Sequence, residues 1–203
     1  MLVYPAEKLM QQERSWRINF VNSLIGPKNL HVLLTRSPQG VINAAIFNSG
    51  LHIGSSPPYI GFLLRPTTVP RHTYENLRHF PYATLNAVGR SFFEKAHATH
   101  AKLPPEESEV ERFGLALQSE PDEPLPYLAE SPLTARLRWV EEHLLTINKT
   151  RLLIFAVEVV RVKADPDPDG FLRLDALGLV AGSGCDGYWS LDFMGRLPIQ
   201  RTP

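Results

Sequence analysis

The stretch Val180–Trp189, VAGSGCDGYW, decides the fold class, because it holds G-x-G-x-x-G at Gly182, Gly184 and Gly187. In a dinucleotide-binding α/β fold such glycines join a strand to a helix. They seat a pyrophosphate on the helix N-terminus, and an acidic side chain follows about twenty residues later. Only sixteen residues follow Gly187, with Pro198 and Pro203 among them. A helix plus a second parallel strand does not fit in that tail. The stretch is therefore read as a glycine turn, and the fold must be sought upstream.

Upstream the pattern is mainly β with inserted helices. Residues 29–36 (NLHVLLTR) read as a strand, 37–40 (SPQG) as a turn, and 41–48 (VINAAIFN) as the hairpin partner. Residues 58–65 (PYIGFLLR) and 83–88 (ATLNAV) are further apolar runs, and 73–79 (TYENLRH) between them reads as a helix with Thr73 as its N-cap. The polar segment 91–120 predicts two short helices around LPPEES. Residues 133–143 and 151–163 read as longer strands. The first alternates Leu133, Ala135, Leu137 and Trp139 with Thr134, Arg136 and Arg138, as a strand wet on one side does. The second is apolar on both faces over 152–157, which predicts a central place in the sheet. The whole predicts a barrel or strongly curved sheet with helices at its ends, one domain over residues 1–203.

Composition narrows the function. Apolar residues make up 43% of the chain, and 21 basic side chains balance 21 acidic ones. Duplex binding favours a basic excess, so nucleic acid is not the expected partner. No apolar run suits a secretory signal or a membrane span. The single cysteine, Cys185, excludes an internal disulfide and fits a reducing, cytoplasmic setting.

Most motifs reduce to structure. Asp165, Asp167 and Asp169 before Gly170 imitate a calcium loop, but its twelfth position is Ala176 rather than glutamate, so the segment reads as a solvated turn. His97 and His100 share a helix face without an evident third ligand, and no metal site is expected. Cys185 has no assigned base and reads as a passive thiol. No nucleophile elbow, P-loop or HExxH is present, and no catalytic residue is assigned. Two segments stand out. NAAIFNSGLHIGSSPPYIGF, residues 43–62, starts as a strand and then reads as a loop of small and polar residues, able to bring backbone groups to a flat polar ligand. In VPRHTYENLRHFPYATLNAV, residues 69–88, Arg71 sits before Thr73 at a helix start, which suits an anion.

Asn43, Ala45, Phe47, Ser55, Ser56 and Pro57-Pro58, then RHTYEN and TLNAV, resemble in order and spacing the flavin reductase-like, FMN-binding split-barrel family. ERFGLALQ at 111–118, PYLAESPLTARLRW at 126–139, IFAVEVVRV at 154–162 and the final GCDGYW continue the likeness, which spans about residues 20–195. The resemblance implies a split β-barrel, commonly a homodimer. It implies FMN, with FAD or riboflavin as alternatives, and NAD(P)H as reductant. The activity implied is hydride transfer to flavin and on to an acceptor; the alternative is a non-enzymatic FMN-binding electron carrier. Asn43, Ala45, Phe47, Asn48 and Ser56 would cup the isoalloxazine. Arg71, His72 and Thr73, with Asn76 supporting the turn, would hold the phosphate, and Asn86 would brace the site. Tyr188 or Trp189 would stack over the pocket mouth. The chain departs from the family at Ile46, Asn48 and Arg71-His72-Thr73, and Asn148-Lys149-Thr150 lack the histidine often found before the second long strand.

Overall fold

A computed structural model describes residues 1–198. The last five residues of the 1–203 span, Pro203 among them, lie outside the described residues. The elements begin with α1 (Ala6–Met10), α2 (Arg14–Ser23), β1 (Lys28–Asn29), β2 (His31–Arg36), β3 (Ile42–Phe47), β4 (Gly50–Ser55) and β5 (Pro58–Leu64). They continue with α3 (His72–His79), β6 (Tyr82–Ala87), α4 (Phe93–Ala98), α5 (Glu109–Arg112), β7 (Leu117–Gln118) and β8 (Tyr127–Leu128). The last are β9 (Leu133–Leu145), β10 (Thr150–Val162), β11 (Val180–Ser183) and β12 (Gly187–Ser190).

Seven antiparallel strands form the main sheet, in the order β3-β2-β6-β9-β10-β5-β4. Its two edge strands, β3 and β4, are joined by only Asn48 and Ser49. Laid flat, seven strands would hold their edges roughly 29 Å apart. The chain from Phe47 to Gly50 reaches about 11 Å at most. The sheet must therefore curl until its edges approach, making a barrel closed by a chain connection and split along the β3–β4 seam.

The period of two in the strands decides which side chains enter. Leu33 points into the barrel with Phe62, Leu85, Leu137, Leu153 and Phe155. Its neighbours Val32 and Leu34 point outward, where α4, α5 and β8 cover them with Phe92, Ala96, Val110 and Leu128. Burial of each such Leu or Phe contributes about 1.5–3 kcal/mol. Leu77 of α3 joins the interior cluster, so this helix plugs one part of the barrel.

Most sequence expectations hold. Strand β10 is central, flanked by β5 and β9. The SPQG turn closes through Ser37 and Gly40, and two short helices flank LPPEES. Two expectations need correction, and two helices were missed. Residues 50–55, read as loop, form the edge strand β4. Its small residues gave no strand signal, and pairing with β5 overrides local propensity. Helices α1 and α2 went unread, because neither has a buried residue to impose an apolar period. Thr73 is not the N-cap of α3. Arg71 is, in extended conformation, and Thr73 lies inside the helix with its hydroxyl turned to the barrel.

The glycine-rich stretch, read as a glycine turn, is the β11–β12 hairpin, which pairs through β11 with β1. Gly184 turns the chain at φ +64°, and the carboxamide of Asn19 on α2 accepts the next N–H, that of Cys185, at 2.8 Å. Gly182 is needed for close approach: a Cβ there would sit 2.9 Å from Leu30. The DPDPDG turn is held by Arg196, which pairs with Asp167 and Asp169.

Candidate functional site

The site is built where the β2–β3 hairpin meets α3. The Asn43 amide donates to the Thr73 hydroxyl at 3.3 Å, and the Asn76 amide to the Thr35 hydroxyl at 3.1 Å. All four side chains are buried. Such bonds contribute about 1 kcal/mol each, and far more is lost when one partner is left unpaired. They hold the helix start against the strand.

At that start the Arg71 N–H donates to the Glu75 carboxylate, which reaches back 3.3 Å from the fourth helical residue. Tyr74 and Glu75 donate their N–H groups to the Arg71 carbonyl. The amides of His72 and Thr73 come before the first intrahelical bond and stay available to an anion. The Arg71 Nε donates to the Pro66 carbonyl at 3.3 Å, which fixes the guanidinium and leaves its terminal nitrogens free of that bond.

The edge strand β3 is held from outside. Ser37 N–H bonds the Val41 carbonyl, so the hairpin alternation turns the backbone groups of residues 42, 44 and 46 away from β2. Ser108 donates to the Ile42 carbonyl, and Glu109 accepts the Ala44 N–H at 3.0 Å. A Ser-Glu dipeptide thus stands in for a neighbouring strand. Burial pushes the Glu109 carboxyl above its ordinary pKa, while the N–H groups of Ala44 and of Glu109 itself and the nearby His72 pull it back.

Beyond Ala44 the strand edge continues past Ile46 towards Asn48. Ala45 and Phe47 share a face with Asn43, and Phe47 packs edge-on to Phe62 at 5.6 Å. Asn48 is half-buried in the connection, which Ser49 pins by donating to the Leu63 carbonyl and accepting the Leu63 N–H. Ser56 is exposed at the tip of the β4–β5 hairpin. Asn86 stands apart. It is fully buried, its amide nitrogen donates to the Val32 and Thr84 carbonyls, and its oxygen accepts the Leu128 N–H at 2.7 Å. It is a brace of the barrel wall with no surface left for a ligand. Tyr188 packs on Phe93, with its hydroxyl 2.7 Å from His97 Nδ1, and Trp189 bonds Ser183; both belong to the outer layer.

A groove of about 140 Å³ lies over this junction, lined by Asn43, His72, Glu75 and Asn76. Through Ser37–Gln39 and His79 it adjoins a larger depression of about 450 Å³ beside Arg36 and Phe80. The structure places Asn43, His72, Thr73 and Asn76, all named from the sequence, at this one junction. Sequence reasoning missed Thr35, Arg36, Ser108 and Glu109. Glu109 carried no signal, standing in an acidic run whose neighbours Glu106, Glu107 and Glu111 are exposed.

Residues 27–176 match the family model described as flavin reductase like domain. An uncharacterised protein of Halalkalibacterium halodurans is 32% identical over 159 residues, 74% of this chain and 75% of that one. Among solved structures, a split-barrel protein of Shewanella frigidimarina assigned as a flavin reductase is 36% identical. It superposes with a TM-score of 0.94 over 98% of this chain and 100% of that one. Nitrilotriacetate monooxygenase component B of Bacillus cereus, 20% identical, shares the fold, with a TM-score of 0.83 over 97% of this chain and 98% of that one.

Proposed function

The chain belongs to the flavin reductase-like domain family, and on that premise we propose that it is an FMN-binding oxidoreductase that takes reducing equivalents from NAD(P)H and delivers them to an acceptor. The observation carrying this reading is the junction at Asn43 and Thr73. It sets a helix start with two available amides and a cationic N-cap beside a strand whose middle residues are Ala44 and Ala45. That donor set fits a phosphate monoester joined to a flat ring.

In this reading Arg71 and the amides of His72 and Thr73 hold the phosphate, and Asn76 keeps the helix start in place. Asn43, Ala45, Phe47, Asn48 and Ser56 border the isoalloxazine together with the outward backbone groups of β3. Asn86 stiffens the wall behind them. Bound flavin supplies the redox chemistry, so the chain needs no nucleophile or acid–base pair of its own. Its task is to orient the ring and limit access of water. Residues 1–203 act as one domain, in a cytoplasmic setting that suits the exposed thiol of Cys185.

A homodimer is part of the proposal. The free edge of the barrel exposes Leu51 and Ile53 beside the Asn48 connection, and α2 buries nothing while exposing Trp16 and Val21. A second reading, a flavin-binding electron carrier without a nicotinamide site, is favoured by the hairpin tip Asn148-Lys149-Thr150, which lacks histidine. The test is an absorption spectrum after mixing with FMN and desalting, then NADH and NADPH oxidation with added flavin. Retained flavin bands with turnover support the reductase. Retained flavin without turnover supports the carrier, and a colourless, inactive protein overturns both.

A further inference from the structure

Edge strand β3 carries a row of outward main-chain groups, because among the described strands only β2 pairs with it. Those groups belong to Ile42, Ala44 and Ile46. The start of α5 answers two of them. The Ser108 hydroxyl donates to the Ile42 carbonyl, and the Glu109 carboxylate accepts the Ala44 N–H at 3.0 Å. Ala44 is 0% and Glu109 4% exposed, so water does not replace this bond. On the approach to α5, Pro105 and Glu107 line the groove beside Asn43 and His72. One short segment therefore walls the groove and grips β3.

Burying a carboxylate is unfavourable where a neutral acceptor would serve. The charge adds strength, since a bond to an ionised acceptor is shorter and stronger than a neutral one. Without Glu109 the Ala44 N–H would be buried and unpaired, a state native structures avoid, so the strand edge would have to move. The effect reaches α3. Asn43, joined to Ala44 by the gripped peptide, donates to Thr73. Thr35, paired with Asn43 across the hairpin, accepts from Asn76. Polar contacts thus run from Glu109, by way of the Asn43–Ala44 peptide, to the first two turns of α3.

We propose that Glu109 is a positioning residue of the flavin site, holding β3 in the placement against α3 that a bound flavin requires. It touches no ligand and acts through the Ala44 N–H, with Ser108 holding the same edge one step away. The role rests on the flavin reading of the junction. Arg71 and the amides of α3 address the phosphate, whereas β3 addresses the ring. A slackened β3 therefore weakens riboflavin, which has no phosphate, as well as FMN.

Amide hydrogen exchange tests the strand without any flavin. The Ala44 amide should exchange about tenfold faster in Glu109→Ala than in the native protein. In Glu109→Gln, which keeps an acceptor oxygen, it should stay within about threefold of native. Undiminished protection of Ala44 in Glu109→Ala overturns the proposal. Titrations with FMN and riboflavin test the site. Both affinities should fall about tenfold in Glu109→Ala and return to within about threefold of native in Glu109→Gln. Unchanged riboflavin affinity in the alanine variant, or a glutamine variant as weak as alanine, overturns the proposal. Should Glu109→Ala not fold, Ser108→Ala decides: both flavins should bind about threefold more weakly, and unchanged affinities overturn the proposal. A native protein that binds neither flavin overturns the flavin reading and this role together, and is distinct from a loss confined to the variants.

Discussion

The Asn43 amide donates to the Thr73 hydroxyl across 3.3 Å, and this one bond ties β3 to the start of α3 over 30 residues of chain. Both residues are buried, at 7% and 5% exposure, so neither could find water if its partner were lost. The spacing between strand and helix start, on which the proposed ring and phosphate positions depend, is set here.

Asn43→Ala should therefore destabilise the protein by about 1–3 kcal/mol, the cost of leaving a buried hydroxyl short of a partner. Thr73→Val should cost a similar amount, and urea unfolding of the double variant should reveal a coupling of about 0.5–3 kcal/mol. Simple additivity would mean that the bond contributes no net stability.

Arg71→Glu reverses the charge at the helix start while leaving the barrel core untouched. FMN affinity should fall by about tenfold to a hundredfold, the loss of a charge-assisted bond. Riboflavin, which has no phosphate, should bind as before. Equal weakening of both ligands would show that Arg71 shapes the site rather than binding phosphate.

His31 gives the protein an acid-sensitive stability. Burial lowers its pKa from 6.5 to about 4, and its Nδ1 has no partner. Between those values the unfolded chain takes up a proton that the folded protein refuses. Stability is thus complete above pH about 6.5 and falls as pH drops towards 4, by at most roughly 3 kcal/mol. Denaturant midpoints across this range should show the slope in the native protein and a flatter profile in His31→Phe. An unchanged slope in the variant would transfer the effect to other groups.

Gly182→Ala should cost about 1–3 kcal/mol by overpacking, because the new methyl would meet Leu30 at 2.9 Å. Thermal unfolding measures this directly, and an unaltered midpoint would mean that Leu30 shifts freely.

How much of this was legible in advance depended on the range of the forces involved. Strands β2, β3, β5, β6, β9 and β10 show as short apolar runs or, in β9, as alternation, so they could be read from the sequence. The glycine stretch, which a dinucleotide fold would use to join a strand to a helix, joins the two strands of the β11–β12 hairpin instead. Strand β4 could not be read, since GLHIGS is almost wholly exposed and is held by pairing with β5. Thr73 looked like a cap because a hydroxyl before a helical run usually is one. A strand 30 residues away claimed that hydroxyl instead.

By itself, then, the sequence determined the mainly β class, the positions of the longer strands and the presence of a helix after Arg71. These follow from propensities and periods that each residue shares with near neighbours. Only the tertiary structure decided the strand order, the seam between β3 and β4, the burial of Glu109 against Ala44 and the seating of Arg36 over Phe80. Each of these joins segments many residues apart, and such contacts exist only once the sheet has curled far enough for its two edges to meet.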